Sequence, residues 1–225
     1  MPQTKTIGYI LLDLDNTLYS ARHGLEKAVS RRVNEYIAAF LKLPFEEAQA
    51  LRREGVSSGG YGTTLEWLVA EKGLDPRDAD SYFRFIHPEN EADALSPDPE
   101  LTSFLSSLDL PAAIMTNSPM EHALRIVKKL GIETFFTSIF DIRFHRLKGK
   151  PRADAFNRVL DALGVKAEHC LFVDDGQTYV EGYRAVGGCG VLYDELDQHP
   201  EFPGPRIRAL REITTLIRQA PAAGG

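Results

Sequence analysis

The stretch Ile7 to Leu12 (IGYILL) is an unbroken apolar run that ends in an acidic segment opening at Asp13. An apolar run of this length, closed by turn-forming residues, predicts a buried strand of the kind found in parallel sheets. Ala112 to Met115 (AAIM), before Thr116-Asn117-Ser118, has the same form. So does Cys170 to Val173 (CLFV), before Asp174-Asp175-Gly176. A further run, Gly190 to Tyr193, follows the turn at Gly187-Gly188. Helical patterns lie between these strands. Pro119 to Leu130 places Ala123, Ile126, Val127 and Leu130 on one face, and Ala153 to Leu163 does so with Phe156, Val159, Leu160 and Leu163. Strands alternating with helices predict right-handed crossovers, hence an α/β fold: a Rossmann-like parallel sheet with helices on both faces.

The pattern changes between the first and second strands. Leu25, Val29, Val33, Ile37 and Phe40 recur every three or four positions, and shorter helical patterns follow at Pro44 to Arg53, Thr64 to Lys72 and Arg77 to Ile86. This reads as an all-helical insertion over residues 20–95, with residues 1–19 and 96–225 forming the α/β core. Gly55 to Gly62 (GVSSGGYG) reads as a flexible loop, either substrate-facing or an ordinary interhelical linker, and no Lys-Ser or Lys-Thr follows its glycines to make a P-loop. Arg206 to Arg218 is expected to be a last surface helix, and Ala220 to Gly225 a frayed tail.

Composition narrows the class. With 225 residues, 43% hydrophobic and 26% charged, the chain carries enough apolar content to bury a core and is not a disordered sequence. A net charge of −6 disfavours a nucleic-acid polymer as partner. No stretch approaches the roughly 18 apolar residues of a membrane span, and the polar start Met1 to Thr6 is no signal peptide, so a soluble cytoplasmic protein is expected. Cys170 and Cys189 read as buried reduced thiols. The histidines at 87, 122, 145, 169 and 199 show no metal-ligand spacing and are assigned no chemistry, and Arg22 and His23 read as surface residues.

The candidate chemistry lies where the strands end, since open parallel sheets gather ligands at the carboxyl ends of their strands. Those ends present Asp13 and Asp15, then Thr116 and Asn117, then Asp174 and Asp175. Each residue alone is an ordinary turn or cap former; their coincidence on three strand ends is not. Two carboxylates about 4 Å apart repel by roughly 4 kcal/mol at an effective dielectric of 20. Such a cluster calls for protons or a cation, and all-oxygen ligation favours a hard divalent ion such as Mg²⁺.

The string YILLDLDNTLY (Tyr9 to Tyr19) resembles the first signature of the haloacid-dehalogenase-like hydrolase superfamily, a strand followed by Asp-x-Asp-x-Thr. Thr116-Asn117-Ser118 is similar to its second motif, Lys150-Pro151 in GKPRADAF to its third, and Phe172-Val173-Asp174-Asp175 to its fourth. Within the superfamily the chain most resembles the pyrimidine 5′-nucleotidase branch, through DLDNTLY, YGTTLEWL (Tyr61 to Leu68) and SPDPEL (Ser96 to Leu101).

The resemblance implies that Asp13 attacks phosphorus and that Asp15 protonates the leaving alkoxide, then deprotonates the hydrolytic water. Asp15 is expected to be protonated when substrate arrives, its pKa raised by neighbouring acids. Mg²⁺ would be held by Asp13, Asp175 and the Asp15 main-chain carbonyl, with Asp174 acting through water. Thr116, Asn117 through its main-chain N–H, and Lys150 would hold the phosphoryl group, with Lys148 left in solvent. Gly176 stands where the family often has Ser or Asn, which loosens support for the ion.

The helical insertion resembles a cap that closes over the site, with Tyr61 and Thr64 as candidate substrate contacts and Trp67 and Leu68 as its core. The expected activity is Mg²⁺-dependent hydrolysis of a small-molecule phosphate ester, a nucleoside 5′-monophosphate with pyrimidines preferred. The alternatives are a phosphatase or mutase of small sugar phosphates and, outside enzymes, a phospho-accepting signalling domain, which is usually near half this length. A 2-haloacid dehalogenase is disfavoured by Asp15, the second acid of the pair.

Overall fold

A computed structural model describes residues 6–219. The expected strands form as β1 (Tyr9–Leu12), β2 (Ala112–Met115), β4 (Cys170–Asp174) and β5 (Cys189–Tyr193). Two short strands join them, β3 (Ile139–Phe140) and β6 (Arg206–Ile207), giving a parallel six-stranded sheet in the order β3-β2-β1-β4-β5-β6. This is the Rossmann-like architecture that the alternation of strands and helices predicts.

Helices cover both faces because side chains alternate along each strand. Ile10, Leu12, Ile114, Leu171 and Val173 pack with Phe104 of α5 (Pro99–Ser106), with Ile126 and Val127 of α6 (Met120–Leu130), and with Ile213 of α9 (Ile213–Gln219). Tyr9, Leu11, Met115 and Phe172 point the other way, toward Phe156 and Val159 of α7 (Ala153–Leu163) and Tyr183 of α8 (Gln177–Ala185). The strands are too short to show helical or strand periodicity alone; burial on both faces is what makes them read as continuous apolar runs.

Residues between β1 and α5 form α1 (Leu25–Leu41), α2 (Phe45–Gly59), α3 (Thr64–Glu71), α4 (Ala79–Ile86) and short 3₁₀ turns. These helices have a separate core of Val33, Ile37, Leu65, Trp67, Leu68, Tyr82 and Phe83. Trp67 and Leu68 are fully buried in it.

Two expectations need correction. The loop expected from Gly55 is helical as far as Gly59, because α2 continues and ends on Gly60 in the left-handed region (φ 63°). Gly55 itself lies against the Trp67 indole, where a Cβ would come within 2.3 Å, so packing rather than flexibility explains that glycine. The final helix starts at Ile213 and not Arg206, because Arg206 and Ile207 hydrogen-bond to β5 as an edge strand. The expected tail at Ala220 to Gly225 lies outside the described residues. Among the described residues, no helix is long and apolar enough to cross a membrane.

Candidate active site

Strand register assembles the site. Leu12 pairs with Ile114 on one side and Val173 on the other. The next residue, Asp13, extends the ladder with its N–H donating to the Val173 carbonyl (2.9 Å). Asp13 therefore leaves the sheet level with Asp174, and by alternation both face the α7 side. Lys150 reaches them from the loop that leads into α7. Its Nζ donates to Asp13 Oδ1 (2.6 Å) and Asp174 Oδ2 (2.5 Å) and sits above the Tyr179 ring (5.1 Å). Lys150 is 1% exposed and Lys148 is exposed, so the lysine before the proline is the one in the site.

Asn117 clamps this lysine. Its Oδ1 accepts from the Lys150 N–H (2.8 Å) and its Nδ2 donates to the Lys150 carbonyl (3.0 Å). The sequence suggested a main-chain role for Asn117; the structure adds a side-chain one. Asp174 is ion-paired to Lys150 and accepts from the Gly176 N–H (2.7 Å).

One ammonium does not neutralise three acids. Carboxylate oxygens of Asp13, Asp174 and Asp175 lie within 4.8 Å of one another. Burial, then Asp174, raises the Asp13 pKa well above the carboxylate range despite Lys150. Burial and then Asp174 push Asp175 up to about 7, against a hydrogen bond from Asn16. Burial raises Asp174 as well, while Lys150 works against it. Burial also opposes the charge of Lys150, but Asp13 and Asp174 outweigh it and hold the ammonium protonated. A surplus of closely held carboxylate oxygen is the donor set for a hard divalent cation.

Asp15 behaves differently from its expected crowded and protonated state. Its side chain turns away from the acid cluster toward donors. Oδ1 accepts from the Tyr19 hydroxyl (2.7 Å) and lies 2.7 Å from His122 Nε2. Oδ2 accepts from the Ser118 hydroxyl (2.7 Å) and, more distantly, from Thr116 (3.5 Å). Burial alone would raise its pKa, but the His122 charge and the hydrogen bonds from His122, Tyr19 and Ser118 hold it below the usual carboxylate range.

His122 continues inward: its Nδ1 is 2.7 Å from Glu91 Oε1, and Glu91 also binds Arg125 (2.6 Å) and His87 (2.9 Å). Burial disfavours a charged imidazole there, yet Asp15 and then Glu91 lift His122 to about 9. Spacing between histidines could not reveal this residue. The available signal was its place in the first turn of the helix that follows the polar end of β2. Glu91 carries no such signal.

Asp13, Asp15, Thr116, Asn117, Lys150 and Asp175 line one cavity of about 170 Å³, together with Asn16, Glu26, His87, Ser118 and Tyr179. A second cavity of about 280 Å³ shares Glu26, His87, Asn117, Ser118 and Tyr179 and extends between α1, α2 and α3. Thr64 lines this second cavity. Tyr61 lines neither, and its hydroxyl donates to Glu71 (2.7 Å) on the surface.

A family model described as haloacid dehalogenase-like hydrolase matches residues 7–187, the span that contains all these side chains. The chain belongs to that family. It is 31% identical over 222 residues to the glyceraldehyde 3-phosphate phosphatase of Methanocaldococcus jannaschii, covering 93% of this chain and 96% of that protein. It is 25% identical over 202 residues to the phosphoglycolate phosphatase of Pectobacterium atrosepticum, covering 83% and 80% respectively. Among solved structures, a HAD phosphatase from Thermococcus onnurineus superposes with a TM-score of 0.64 at 19% identity, covering 94% of this chain and 98% of that one. As a haloacid dehalogenase-like hydrolase, the protein has relatives named as phosphatases of small phosphorylated compounds.

Proposed function

We propose that this hydrolase cleaves phosphomonoesters of small two- or three-carbon compounds through a phosphorylated Asp13, with Mg²⁺ as cofactor. One observation carries the reading: the buried Asp13 carboxylate, gripped by Lys150 at 2.6 Å, opens onto a cavity beside a cation-deficient acid cluster. An Asp13 oxygen attacks phosphorus and the bond to the ester oxygen breaks. The departing oxygen takes a proton that His122 passes through Asp15 across their 2.7 Å contact, which leaves Asp15 ionised and His122 neutral. Water then attacks the aspartyl phosphate, giving its proton to the Asp15 carboxylate and through it back to His122, and phosphate and the Asp13 carboxylate are released. Lys150 and the Thr116 hydroxyl hold the phosphoryl oxygens, and Asn117 fixes the backbone that presents Lys150. Asp13 and Asp175, with the Asp15 carbonyl, would hold Mg²⁺, which offsets the charge of an anionic nucleophile beside a dianionic substrate. Helices α1 to α4 act as a cap that screens the site from water.

The expected preference for pyrimidine nucleotides has less support than the small-substrate alternative. The relatives described above are named for glyceraldehyde 3-phosphate and phosphoglycolate. The test is phosphate release from p-nitrophenyl phosphate, glyceraldehyde 3-phosphate, 2-phosphoglycolate, and cytidine and uridine monophosphates, each with Mg²⁺ or EDTA. Stoichiometric free phosphate is expected, with the small esters ahead and EDTA abolishing release. An isomerised sugar phosphate would identify a mutase, and a stable phosphoprotein without turnover would identify a phospho-acceptor.

A further inference from the structure

The cavity between the helices contains a cation with no anionic partner. Arg52 of α2 is half-buried, and its hydrogen bonds all go to neutral groups: Nε to Thr64 Oγ1 (3.0 Å), and Nη1 to the Ser30 carbonyl (3.2 Å), Ser30 Oγ (2.9 Å) and Asn34 Oδ1 (3.1 Å). Its Nη2 makes no protein hydrogen bond among the described residues, and no carboxylate there lies within ion-pair distance of it. Arg32, Arg125, Arg143 and Arg152, by contrast, each pair with an acid.

A partly desolvated guanidinium without a counter-charge is costly to keep unless a ligand supplies the charge. Burial accordingly pulls the Arg52 pKa down, with only weak opposition from Tyr82, Glu26 and Tyr179. Glu26, the acid on the same cavity wall, is already occupied by the Asn16 amide.

The position of Arg52 is suited to reading the substrate. Its cavity borders the one that holds Asp13 and Lys150, with Asn117, Ser118 and Tyr179 lining both. The helical segment is also seated directly on the reacting loop: Gly62, two residues before Thr64, is so close to the Lys150 carbonyl that a Cβ would come within 2.6 Å. Ser30, Asn34 and Thr64 thus hold the Arg52 fork on the cavity wall and leave Nη2 for a ligand whose phosphoryl group would lie at Lys150.

We propose that Arg52 binds a carboxylate on the non-transferred end of the substrate, so that the preferred ligands are phosphorylated short hydroxy acids. This rests on the phosphatase reading and narrows its substrate class. A planar guanidinium matches a carboxylate in a way that an aldehyde or alcohol does not.

The test compares 2-phosphoglycolate with 2-hydroxyethyl phosphate, which replaces only the carboxylate. Binding is measured calorimetrically with Mg²⁺ in the unreactive Asp13→Asn background, and turnover is measured separately in the wild-type chain. The acid is expected to bind at least about 10-fold more tightly. Arg52→Gln should bring that ratio close to one, and Arg52→Lys should retain part of it. Because both ligands are measured on the same protein, a general loss of folding cancels from the ratio.

Three results would overturn the subsite: a ratio near one, a ratio unchanged by Arg52→Gln, or tighter binding of cytidine monophosphate than of 2-phosphoglycolate. If the binding preference holds while wild-type protein releases no phosphate, the hydrolase reading fails and the subsite stands. Equal turnover and equal binding of the two esters would leave the hydrolase and remove the subsite.

Discussion

Replacing His122 by Leu tests the pairing of Asp15 with a buried imidazolium. His122 is 1% exposed and lies between two carboxylates at 2.7 Å each. Its loss does not orphan either acid. Glu91 keeps Arg125 and His87, and Asp15 keeps Tyr19 and Ser118. The cost is therefore two charge-assisted hydrogen bonds, at about 1.5–3 kcal/mol each. In terms of protonation, a lift from 6.5 to about 9 corresponds to about 3 kcal/mol of preference for the charged imidazole in the folded state. A raised histidine pKa stabilises fully below the unfolded value and loses that contribution as pH rises through the folded one. The gap in unfolding free energy between wild type and His122→Leu should thus be widest near pH 6 and narrow by about 3 kcal/mol by pH 9.5. Urea titrations of both proteins in metal-free buffer measure it, and the acids of the cluster, common to both, cancel in the difference. A gap that is constant over this range, or below about 1 kcal/mol at pH 6, would refute the pairing.

Other substitutions probe other parts of the site. Asp13→Asn should abolish phosphate release yet leave the urea midpoint unchanged or higher, since it removes one of three crowded carboxylates; near-normal turnover would reassign the nucleophile. Lys150→Met should destabilise by about 3–5 kcal/mol, because Asp13 and Asp174 both lose their buried counter-charge. Gly149→Ala places a Cβ 1.9 Å from Asn117 Oδ1 and must displace the clamp on Lys150, so a stability loss of about 1–3 kcal/mol and a fall in kcat are expected. Mg²⁺ should raise the melting temperature of the wild type and have less effect on Asp175→Asn. His145 is buried, and burial followed by Lys150 lowers its pKa to about 4. Its unfolded form takes a proton first, so wild-type stability should fall between pH 6.5 and 4, and His145→Leu should flatten that slope.

The core strands were legible because parallel strands buried on both faces need no periodicity to be recognised, only apolar runs closed by polar turns. Their carboxyl ends pointed to Asp13, Thr116 and the 174–175 pair for the same reason, whereas Lys150, in the loop before α7, was found only through the resemblance of Lys150-Pro151 to the third family motif. Strands β3 and β6 were missed because each has only two residues in the ladder, held in place by neighbours and not by their own composition. The long α2 was cut short because glycine and serine weigh against helix locally, while Gly55 is required by contact with Trp67. Arg52 gave no signal, since the neutrality of its partners is a property of α1 and α3 packed against α2. The same holds for Glu91, whose partners lie 31 residues away at His122 and 34 away at Arg125.

Asp13 and Asp15 share one loop, yet their surroundings push them in opposite directions, and that separation is how one fold sets two carboxyl groups to different tasks. Asp13 faces acids, with Lys150 as its counter-charge; Asp15 faces donors, so its charge is secure without it. On the proposed mechanism, the acid proton for the leaving group would therefore be stored not on Asp15, as crowding alone would suggest, but one bond further in, on His122, where Glu91 compensates it. The arrangement keeps a proton source within 2.7 Å of Asp15 while leaving Asp15 free to accept one from water in the second step. A carboxyl group protonated in isolation could perform the first of these roles and would be poorly suited to the second.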